Sequence, residues 1–446
     1  MKGIIIALLL VGGMAAPTAS AKKAKPKEPE ISFPPALGDD RTVVADQSPD
    51  FLKPGPNLRP EVAIAKTPPT IDFLYYPGQT YAGRPWSVWG QGSVAGGKYY
   101  SAIGDHLAPA GNAFVYEYDP AAKKLRQLMD TRSLLKLPEG HYAPGKIHSR
   151  VDMGTDGWLY FSTHRGSTKV TTDEFHYQGD WVLRCHPETG KSEIVVHAPV
   201  PKHCIPTSVL DPQRLIFYGA TAPGAGDEQD IRFFAYDVKA RKLLYSGKDG
   251  PSRCIAFAKS TGLVYYTPGK GEGNLMRYDP AKPDAPQRID TVAGMRACSA
   301  ETKDGVIYLV TSGQGGKDSQ LGAFDTRTEK IAWLGPAAVA GQQYIASLDV
   351  DPTGRYLYYI PGAHGGADKD GTPVVQYDTK EQRRKVIAFL HPFYQRRYGC
   401  ALKGTYSVAL GGDGGVLYVT WNASRGSKNW ETCAMTAIHI PASERE

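Results

Sequence analysis

The sequence predicts an all-β protein that folds as a seven-bladed β-propeller of four-stranded antiparallel blades. Three observations lead to this prediction. A turn followed by a short apolar strand recurs seven times, an aromatic-Asp turn follows most of these copies, and long helical periodicity is absent. The 49 glycines and 34 prolines also suit a chain with many tight turns.

The N-terminal residues have the features of an export signal. A basic start at Lys2 precedes an apolar or glycine run over 3–14, and small residues at 19–21 suit a signal peptidase. The run is too short for a membrane-spanning helix, which needs about 20 residues. We therefore expect a signal peptide over 1–21, a secreted or periplasmic protein, and no integral membrane segment after cleavage.

Residues 22–69 are predicted to form a proline-rich linker, and residues 70–446 to form the propeller. The linker range holds ten prolines, and proline fixes φ and removes a backbone donor, which disfavours ladders and helices. One short segment at the domain boundary, 70–79, is apolar enough to add a closing strand. A length of 446 residues alone would suggest two or three domains, but the internal repetition favours one.

Charge and cysteine content exclude some classes of function. A formal net charge of +7 is compatible with an anionic ligand but is too weak to indicate a nucleic-acid partner. The six cysteines form no Cys-x-x-Cys pair, so zinc-ribbon and thioredoxin chemistry have no support. Disulfides are permitted in an exported chain, with Cys400–Cys433 as one candidate and buried thiols as the alternative.

The repeat unit contains two hairpin signals. The first element recurs at 96–100, 156–160, 211–217, 260–265, 304–308, 351–358 and 413–418. The second recurs at 118–120, 236–237, 278–280, 324–325 and 377–378, with 185–187 and 438–440 in the same place. Asp and Gly accept the backbone angles of hairpin turns, and the flanking aromatic and β-branched residues suit strands. Two hairpins per repeat make a four-stranded blade, and seven blades make a propeller.

The topology of such a blade brings particular polar residues to one face. The start of the innermost strand and the end of the second strand lie at the same end of the blade. The residues placed there are His106, His148, His164, Arg165, His203, Arg253, Arg296, Tyr344, His364, Tyr406 and Asn422. This clustering of histidines and arginines predicts a functional site on that face.

The densest part of this face lies in the second repeat. His148 and His164 are sixteen residues apart, and the turn at Asp156-Gly157 folds their strands back on each other. Because paired strands lie about 4.8 Å apart, both imidazoles could reach one ligand. One neutral histidine can then accept a proton while the other polarises or donates.

The segments Lys146-Ile147-His148 and 160–164 (Tyr-Phe-Ser-Thr-His) resemble those of the propeller polysaccharide lyases. The similarity is to the ulvan lyases and, more distantly, to oligogalacturonate lyase. It implies cleavage of uronic-acid-containing, ulvan-like sulfated polysaccharide by β-elimination. In that group His or Tyr transfers protons, and Arg, His or a metal ion faces the carboxylate. By resemblance, His148 and His164 take the paired-histidine role.

The remaining residues of the face have roles consistent with this chemistry. Arg253 and Arg296 could neutralise the charge that develops on a carboxylate, and Tyr344 or Tyr406 could donate to the leaving oxygen. We therefore predict His148, His164, Arg253 and Tyr344 as catalytic residues and Arg165, Arg296, His203 and Tyr406 as substrate-binding residues. The residues identify no cofactor with certainty, and a divalent ion such as zinc, calcium or manganese could bind at His106 and His364, with His203 as a third ligand.

Two other classes of function stay open. A non-catalytic propeller that binds glycan or protein would have the same fold, because propellers have many functions. A lactonase or dehydrogenase would need a calcium or quinone site built from Asp, Glu and Asn, whereas this face is rich in His and Arg. No Gly-x-Ser-x-Gly motif is present to indicate a serine hydrolase.

Overall fold

The computed structural model describes residue 37 and residues 41–80, 83, 85–107, 111–224, 230–313, 318–425 and 430–446. The predicted signal peptide over 1–21, and the predicted linker as far as residue 36, lie outside these residues. Within them the chain forms seven sheets of four or five strands. The inner strands of consecutive sheets contact one another, and the last contacts the first, so the sheets form a ring. The predicted seven-bladed β-propeller is confirmed.

The first three blades run from inner to outer strand in chain order. Blade 1 consists of Trp86–Ser87 and Ser93–Ala95, then Lys98–Asp105, Asn112–Asp119 and Lys124–Asp130. Blade 2 consists of Lys146–Ile147 and Asp152–Met153, then Leu159–His164, Trp181–Cys185 and Ser192–His197. Blade 3 consists of His203–Asp211, Ile216–Pro223, Arg232–Asp237 and Lys242–Lys248.

The next three blades follow the same order, and the seventh combines strands from both ends of the chain. Blade 4 consists of Ala256–Ala258, Leu263–Tyr266, Gly273–Tyr278 and Gln287–Ala293. Blade 5 consists of Met295–Glu301, Val306–Thr311, Gln320–Asp325 and Lys330–Pro336. Blade 6 consists of Leu348–Val350, Tyr356–Tyr359, Pro373–Asp378 and Arg383–Phe389, with Ala63–Ile64 at its outer edge. Blade 7 consists of Ala401–Leu410, Val416–Ser424, Thr432–His439, Thr70–Tyr75 and Val43–Gln47.

Helices are short and lie between strands. The α-helices are Thr131–Leu135 and Phe393–Tyr398, and the 3₁₀ helices are Pro49–Leu52, Thr168–Val170, Asp173–Phe175, Ala367–Asp370 and Ala442–Glu444. The first α-helix begins where the Asp130 side chain accepts the backbone N–H of Ser133. In the described parts of the chain, no helix combines the length and the apolar character that crossing a bilayer requires.

A strand from the N-terminal part of the chain closes the ring. Thr70–Tyr75 pairs antiparallel with Thr432–His439, so blade 7 joins residues from the two ends of the described chain. A buried carboxylate supports this pairing, because Asp72 accepts hydrogen bonds from Lys123 Nζ at 2.7 Å and His439 Nε2 at 3.0 Å. The closing strand expected within 70–79 is therefore observed.

Part of the proline-rich segment belongs to the propeller, although the sequence indicated a linker over 22–69. Val43–Gln47 pairs with the outer edge of the closing strand, and Ala63–Ile64 runs parallel to the outer strand of blade 6. Arg59 is held against Asp318 by two hydrogen bonds of 2.6 and 2.8 Å. The segment pairs because its prolines lie outside these two short strands, which leaves their backbone N–H groups free to form ladders.

Burial decreases from the inner strands to the outer strands. All nine residues of the inner strand His203–Asp211 are buried, whereas none of the outer strand Lys242–Lys248 is. Inner strands are covered by the neighbouring blades, so their apolar residues alternate less than those of one-sided sheets. All six cysteines are buried and free, and the suggested Cys400–Cys433 disulfide is absent.

Blades 1 and 2 have interrupted inner strands. In blade 1 the break falls between Ser87 and Ser93, and in blade 2 between Ile147 and Asp152. The two breaks approach each other closely at Gly90. A Cβ atom there would lie 2.1 Å from the Ser149 carbonyl oxygen, so only glycine allows this approach. The residues in the breaks do not pair in their own sheets, and their side chains can turn toward the end of the ring.

Candidate active site

Two histidines of blade 2 lie side by side where a hairpin ends. Thr163 pairs with Ile147 and His164 pairs with Lys146, and His148 follows directly after the inner segment. The imidazole rings of His148 and His164 have centroids 5.1 Å apart and planes inclined by 35°. Both rings line a cavity of about 400 Å³ to which six of the seven blades contribute residues.

The hydrogen bonds of these histidines define their tautomers. His148 Nδ1 lies 2.8 Å from the Pro206 carbonyl oxygen, and His164 Nδ1 lies 2.7 Å from the Arg165 carbonyl oxygen. A carbonyl oxygen only accepts, so each Nδ1 carries the proton and each Nε2 has a free lone pair when the ring is neutral. Burial, assisted by nearby positive charges, holds the pKa of both imidazoles well below the usual value. Both rings are therefore neutral bases at pH 7.

The cavity is strongly cationic. The basic residues that line it are Lys146, Arg165, Arg253, Lys270 and Arg296. Among the described residues of the lining, none is an aspartate or a glutamate. A concave site with charges of one sign concentrates ligands of the opposite sign. The arrangement therefore favours an anionic ligand.

Arg296 and Tyr344 line the same cavity from blades 5 and 6, whereas His148 and His164 line it from blade 2. We call the part formed by Arg296 and Tyr344 the Arg296 wall. Arg296 Nε donates to Tyr344 Oη at 2.6 Å, and the guanidinium lies 4.7 Å from the centroid of that ring. The Arg296 side chain is only 6% exposed. Its Nη2 nevertheless has no hydrogen-bond partner among the described residues. A buried cationic donor without a partner is costly, and a bound carboxylate would satisfy it in bidentate geometry.

Lys146 belongs to the same site, although the sequence prediction assigned it no role. Its Nζ lies 4.1 Å from the centroid of the Trp89 ring. Burial, reinforced by Arg165 and Arg253, lowers the pKa of the ammonium to about 7. The repeat indicates that the strands carrying Lys146 and His164 form one hairpin. It does not indicate that Arg165 and Arg253 lie close to Lys146.

Trp89 occupies the break in blade 1 and is the centre of an aromatic cluster. Ring centroids within 6 Å of it belong to His106 at 5.3 Å, His148 at 5.7 Å, His364 at 5.9 Å, Tyr406 at 5.1 Å and Trp430 at 5.3 Å. Asn422 fixes the backbone beside the tryptophan, because its side-chain amide bonds both the N–H and the C=O of Val88. Trp430 was not predicted, since it lies on a loop outside the repeat pattern.

The two histidines predicted as metal ligands lie in this aromatic cluster. His106 Nδ1 is 2.7 Å from Ser87 Oγ, and His364 Nδ1 is 2.7 Å from Tyr406 Oη. Burial lowers the pKa of His106 to about 3. No three His, Cys, Asp or Glu side chains of the described ranges are grouped as metal ligands. Neither His106 nor His364 is among the residues that line the main cavity.

The other predicted residues divide between two cavities and the sheet. Arg165 and Arg253 line the main cavity, where Arg165 Nη1 donates to the Pro223 carbonyl oxygen at 2.6 Å. Tyr406 lines a smaller, adjoining cavity of about 60 Å³, together with His148 and Arg296. His203 lines neither cavity.

His203 is turned back toward its own blade. Its Nδ1 lies 2.8 Å from Thr221 Oγ1, and its Nε2 lies 3.5 Å from a carboxylate oxygen of Asp230. The sequence placed it on the functional face because it begins an inner strand, but that strand pairs from its first residue and directs the side chain toward the hairpin partner. The structure therefore does not place His203 among the substrate-binding residues.

No protein-family model matches the chain, and no curated protein matches it in sequence. Solved structures match it in fold. A chain from a crystal structure of the mitotic checkpoint complex is 11% identical with a TM-score of 0.47, and covers 97% of this chain and 99% of its own length. The β-propeller domain of the trilobed protease from Pyrococcus furiosus is 9% identical with a TM-score of 0.47, and covers 80% of this chain and 94% of its own.

A third solved structure has a higher score. Oligogalacturonate lyase in complex with manganese is 11% identical with a TM-score of 0.55, and covers 91% of this chain and 98% of its own. At this level of identity the similarity concerns the fold, and it includes nearly the whole of both chains. The chain is thus similar in fold to a protein named oligogalacturonate lyase, and its own cavity is lined by His148, His164, Lys146 and Arg296.

Proposed function

We propose that this protein is an exported polysaccharide lyase that cleaves a uronic-acid-containing, ulvan-like polysaccharide by β-elimination. One observation carries the proposal. Two neutral imidazoles with free Nε2 atoms share a cationic cavity with Arg296, a buried guanidinium whose Nη2 has no partner among the described residues. The fold similarity to oligogalacturonate lyase is consistent with it.

The uronate carboxylate would bind at the Arg296 wall. Arg296 Nη2 supplies an unused donor, and Tyr344 Oη, which already accepts from Arg296 Nε, has its own O–H available to donate. Removal of the proton next to the carboxylate shifts negative charge onto its oxygens. Fixed donors that meet this developing charge stabilise the transition state more than the ground state. Arg253 adds a second positive charge to the same cavity.

His148 would be the base. Its Nδ1–H donates to the Pro206 carbonyl oxygen, which fixes the ring and leaves Nε2 free to accept the C5 proton of the uronate. The ring of His164 has its centroid 5.1 Å from that of His148. Its Nε2 is a second acceptor, which would bind a sugar hydroxyl.

Export is part of this proposal because large polysaccharides lie outside the cytoplasm. The basic start, the apolar run over 3–14 and the small residues at 19–21 support it. Fractionation of cells that express the full chain should place the protein in the periplasm or medium. N-terminal sequencing of that protein should begin at Lys22, and retention of Met1 in the cytoplasmic fraction would contradict export.

The lyase proposal is tested by supplying ulvan, pectate, alginate and glycosaminoglycans to the purified protein. We expect the ultraviolet absorbance of an unsaturated uronate to increase with at least one of them. His148→Ala and His164→Ala should each lower the rate by about 100-fold or more. His197→Ala, an exposed histidine on the outer strand of the same blade, is the control and should keep the wild-type rate.

Two results would contradict the lyase proposal. Wild-type rates in both variants would remove the paired histidines from the mechanism. Binding of an anionic polysaccharide without any unsaturated product, across all four substrate classes, would identify a propeller that binds glycan without cleaving it.

A further inference from the structure

A β-elimination needs an acid as well as a base, and the paired histidines supply only the base. Each neutral imidazole has a single N–H, and that of His148 is donated to Pro206 and that of His164 to Arg165. Guanidinium groups do not release protons in proteins. A second group of the cavity that carries a proton at neutral pH could therefore protonate the leaving glycosidic oxygen while His148 holds the C5 proton.

Lys146 is placed to supply it. The residue pairs with His164 across the hairpin and precedes His148 by two positions, so all three share one corner of the cavity. Its Nζ lies over the Trp89 ring at 4.1 Å from the centroid. Within the described residues, Nζ has this ring as a neighbour and no ion-pair or hydrogen-bond partner. Its three N–H donors thus face the cavity or the indole.

The charges around Lys146 favour release of its proton. Burial lowers the pKa of Lys146 most, and Arg165 and Arg253 lower it further because they repel the ammonium. Cys204 raises it, and the resulting pKa is about 7. The ammonium in turn lowers the pKa of the imidazoles that face it, namely those of His106, His148, His164 and His364. An acid is most effective when its pKa lies near the working pH.

We propose that Lys146 is a catalytic residue whose ammonium donates the proton to the leaving glycosidic oxygen. This inference rests on the proposed lyase function. The C5–H bond breaks and its proton goes to His148 Nε2, while its electron pair forms the C4–C5 double bond. The C4–O4 bond breaks with its pair on O4, which takes a proton from Lys146 Nζ. The enzyme is left with a protonated His148 and a neutral Lys146, and one proton passed between them, directly or through water, restores both.

The test separates the proton from the charge. Lys146→Arg keeps a positive charge but cannot release a proton, whereas Lys146→Met removes both. With the polysaccharide that the wild type cleaves fastest, Lys146→Arg should keep KM within about threefold and lose about 100-fold in kcat. In the wild type, kcat should decline as the pH rises through about 7. The pH profile of Lys146→Arg should lack this decline. Lys169→Met, an exposed lysine of the same blade, is the control.

Several outcomes would overturn the proposal. Full kcat in Lys146→Arg, or a raised KM with unchanged kcat, would make Lys146 a binding cation only. If the decline of kcat with rising pH disappears in Tyr344→Phe but persists in Lys146→Arg, Tyr344 and not Lys146 is the group that donates the proton. Absence of product with wild-type protein on every substrate would overturn the lyase function itself, and the role of Lys146 with it.

A measurement without turnover keeps the inference testable if a variant fails to fold. Competitive acetylation of the wild-type protein across pH, read by mass spectrometry, reports the reactivity of each lysine amine. The reactivity of Lys146 should rise as the pH passes through about 7, and the exposed Lys169 is the reference amine. If the acetylation of Lys146 and that of Lys169 depend on pH in the same way, Lys146 does not have the proposed role, and the lyase proposal is unaffected.

Discussion

Blades 2 and 3 each have a histidine near the start of the inner strand, yet only one of these histidines lines the cavity. In blade 2 the inner strand breaks after Ile147, and His148 projects beside His164. In blade 3 the strand begins at His203 itself, which bonds Thr221 of the neighbouring strand. The comparison shows that the position in the repeat does not by itself decide which side chain reaches the cavity, since Lys146 and His164 reach it from paired strands.

The two blades also cooperate. The inner strand of blade 3 has an irregular register between Cys204 and Thr207, and the Pro206 carbonyl in this irregular stretch accepts the Nδ1–H of His148. A carbonyl in a regular ladder would bond a neighbouring strand instead. One blade therefore supplies His148, and a bulge in the next blade fixes the tautomer of that histidine.

The largest expected effect is the difference between the two histidines. His148→Gln removes the base and should lower kcat by about 100-fold or more. His203→Gln keeps a side-chain amide that can bond Thr221, so it should change kcat by no more than about threefold. Steady-state rates on the same substrate measure both. Equal losses in the two variants would break the comparison.

A second prediction concerns the approach of the two interrupted strands. Gly90→Ala would place Cβ 2.1 Å from the Ser149 carbonyl oxygen, so the backbone must shift. We expect a loss of about 1–3 kcal/mol in the free energy of unfolding, as for other overpacked sites, measured by urea denaturation. Gly273→Ala, whose Cβ would meet nothing within 4 Å, is the control and should stay within about 0.5 kcal/mol. Equal stability of both variants would contradict the close approach.

A third prediction concerns the dependence of stability on pH. Asp180, buried in blade 2, accepts a hydrogen bond from Thr163 at 2.6 Å, and burial raises its pKa to about 7. Because the pKa is higher in the folded than in the unfolded chain, near 3.9, this group makes the protein less stable as pH rises from about 4 through about 7.

Asp180→Asn should remove this dependence, which amounts to no more than about 1.4 kcal/mol per pH unit. Urea midpoints measured at several pH values across that range should fall less steeply for the variant than for the wild type. Parallel curves would indicate that the carboxyl does not titrate there. Blade 3 provides the contrast, since Thr221 at the same place bonds His203 and not a carboxylate.

The blade number and the meeting of His148 with His164 were predictable because both depend on local signals. Each turn-and-strand motif specifies a hairpin within a few residues, and the turn at Asp156-Gly157 returns the chain to its starting end. The repetition of this unit then leaves few alternatives to a ring. Fold class and paired imidazoles therefore follow from short-range pattern.

The remaining features depend on contacts that the repeat does not encode. His203 turns away because its strand pairs from the first residue, and register is not visible in the spacing of turns. The pKa of the Lys146 amine is lowered to about 7 first by burial and then by Arg165 and Arg253, which lie on different blades. Val43–Gln47 pairs with the outer edge of Thr70–Tyr75. That edge is in place only when the ring is complete, so the repeat does not predict the pairing.

The pairing of Thr70–Tyr75 with Thr432–His439 also determines when the cavity can exist. Six blades contribute to its lining, and their spacing around the axis is fixed only when the ring is closed. A nascent chain that lacks its last strands has the histidines and arginines but not their enclosure. The site thus matures last, and loss of either closing segment by proteolysis should abolish binding long before most of the β-structure unravels.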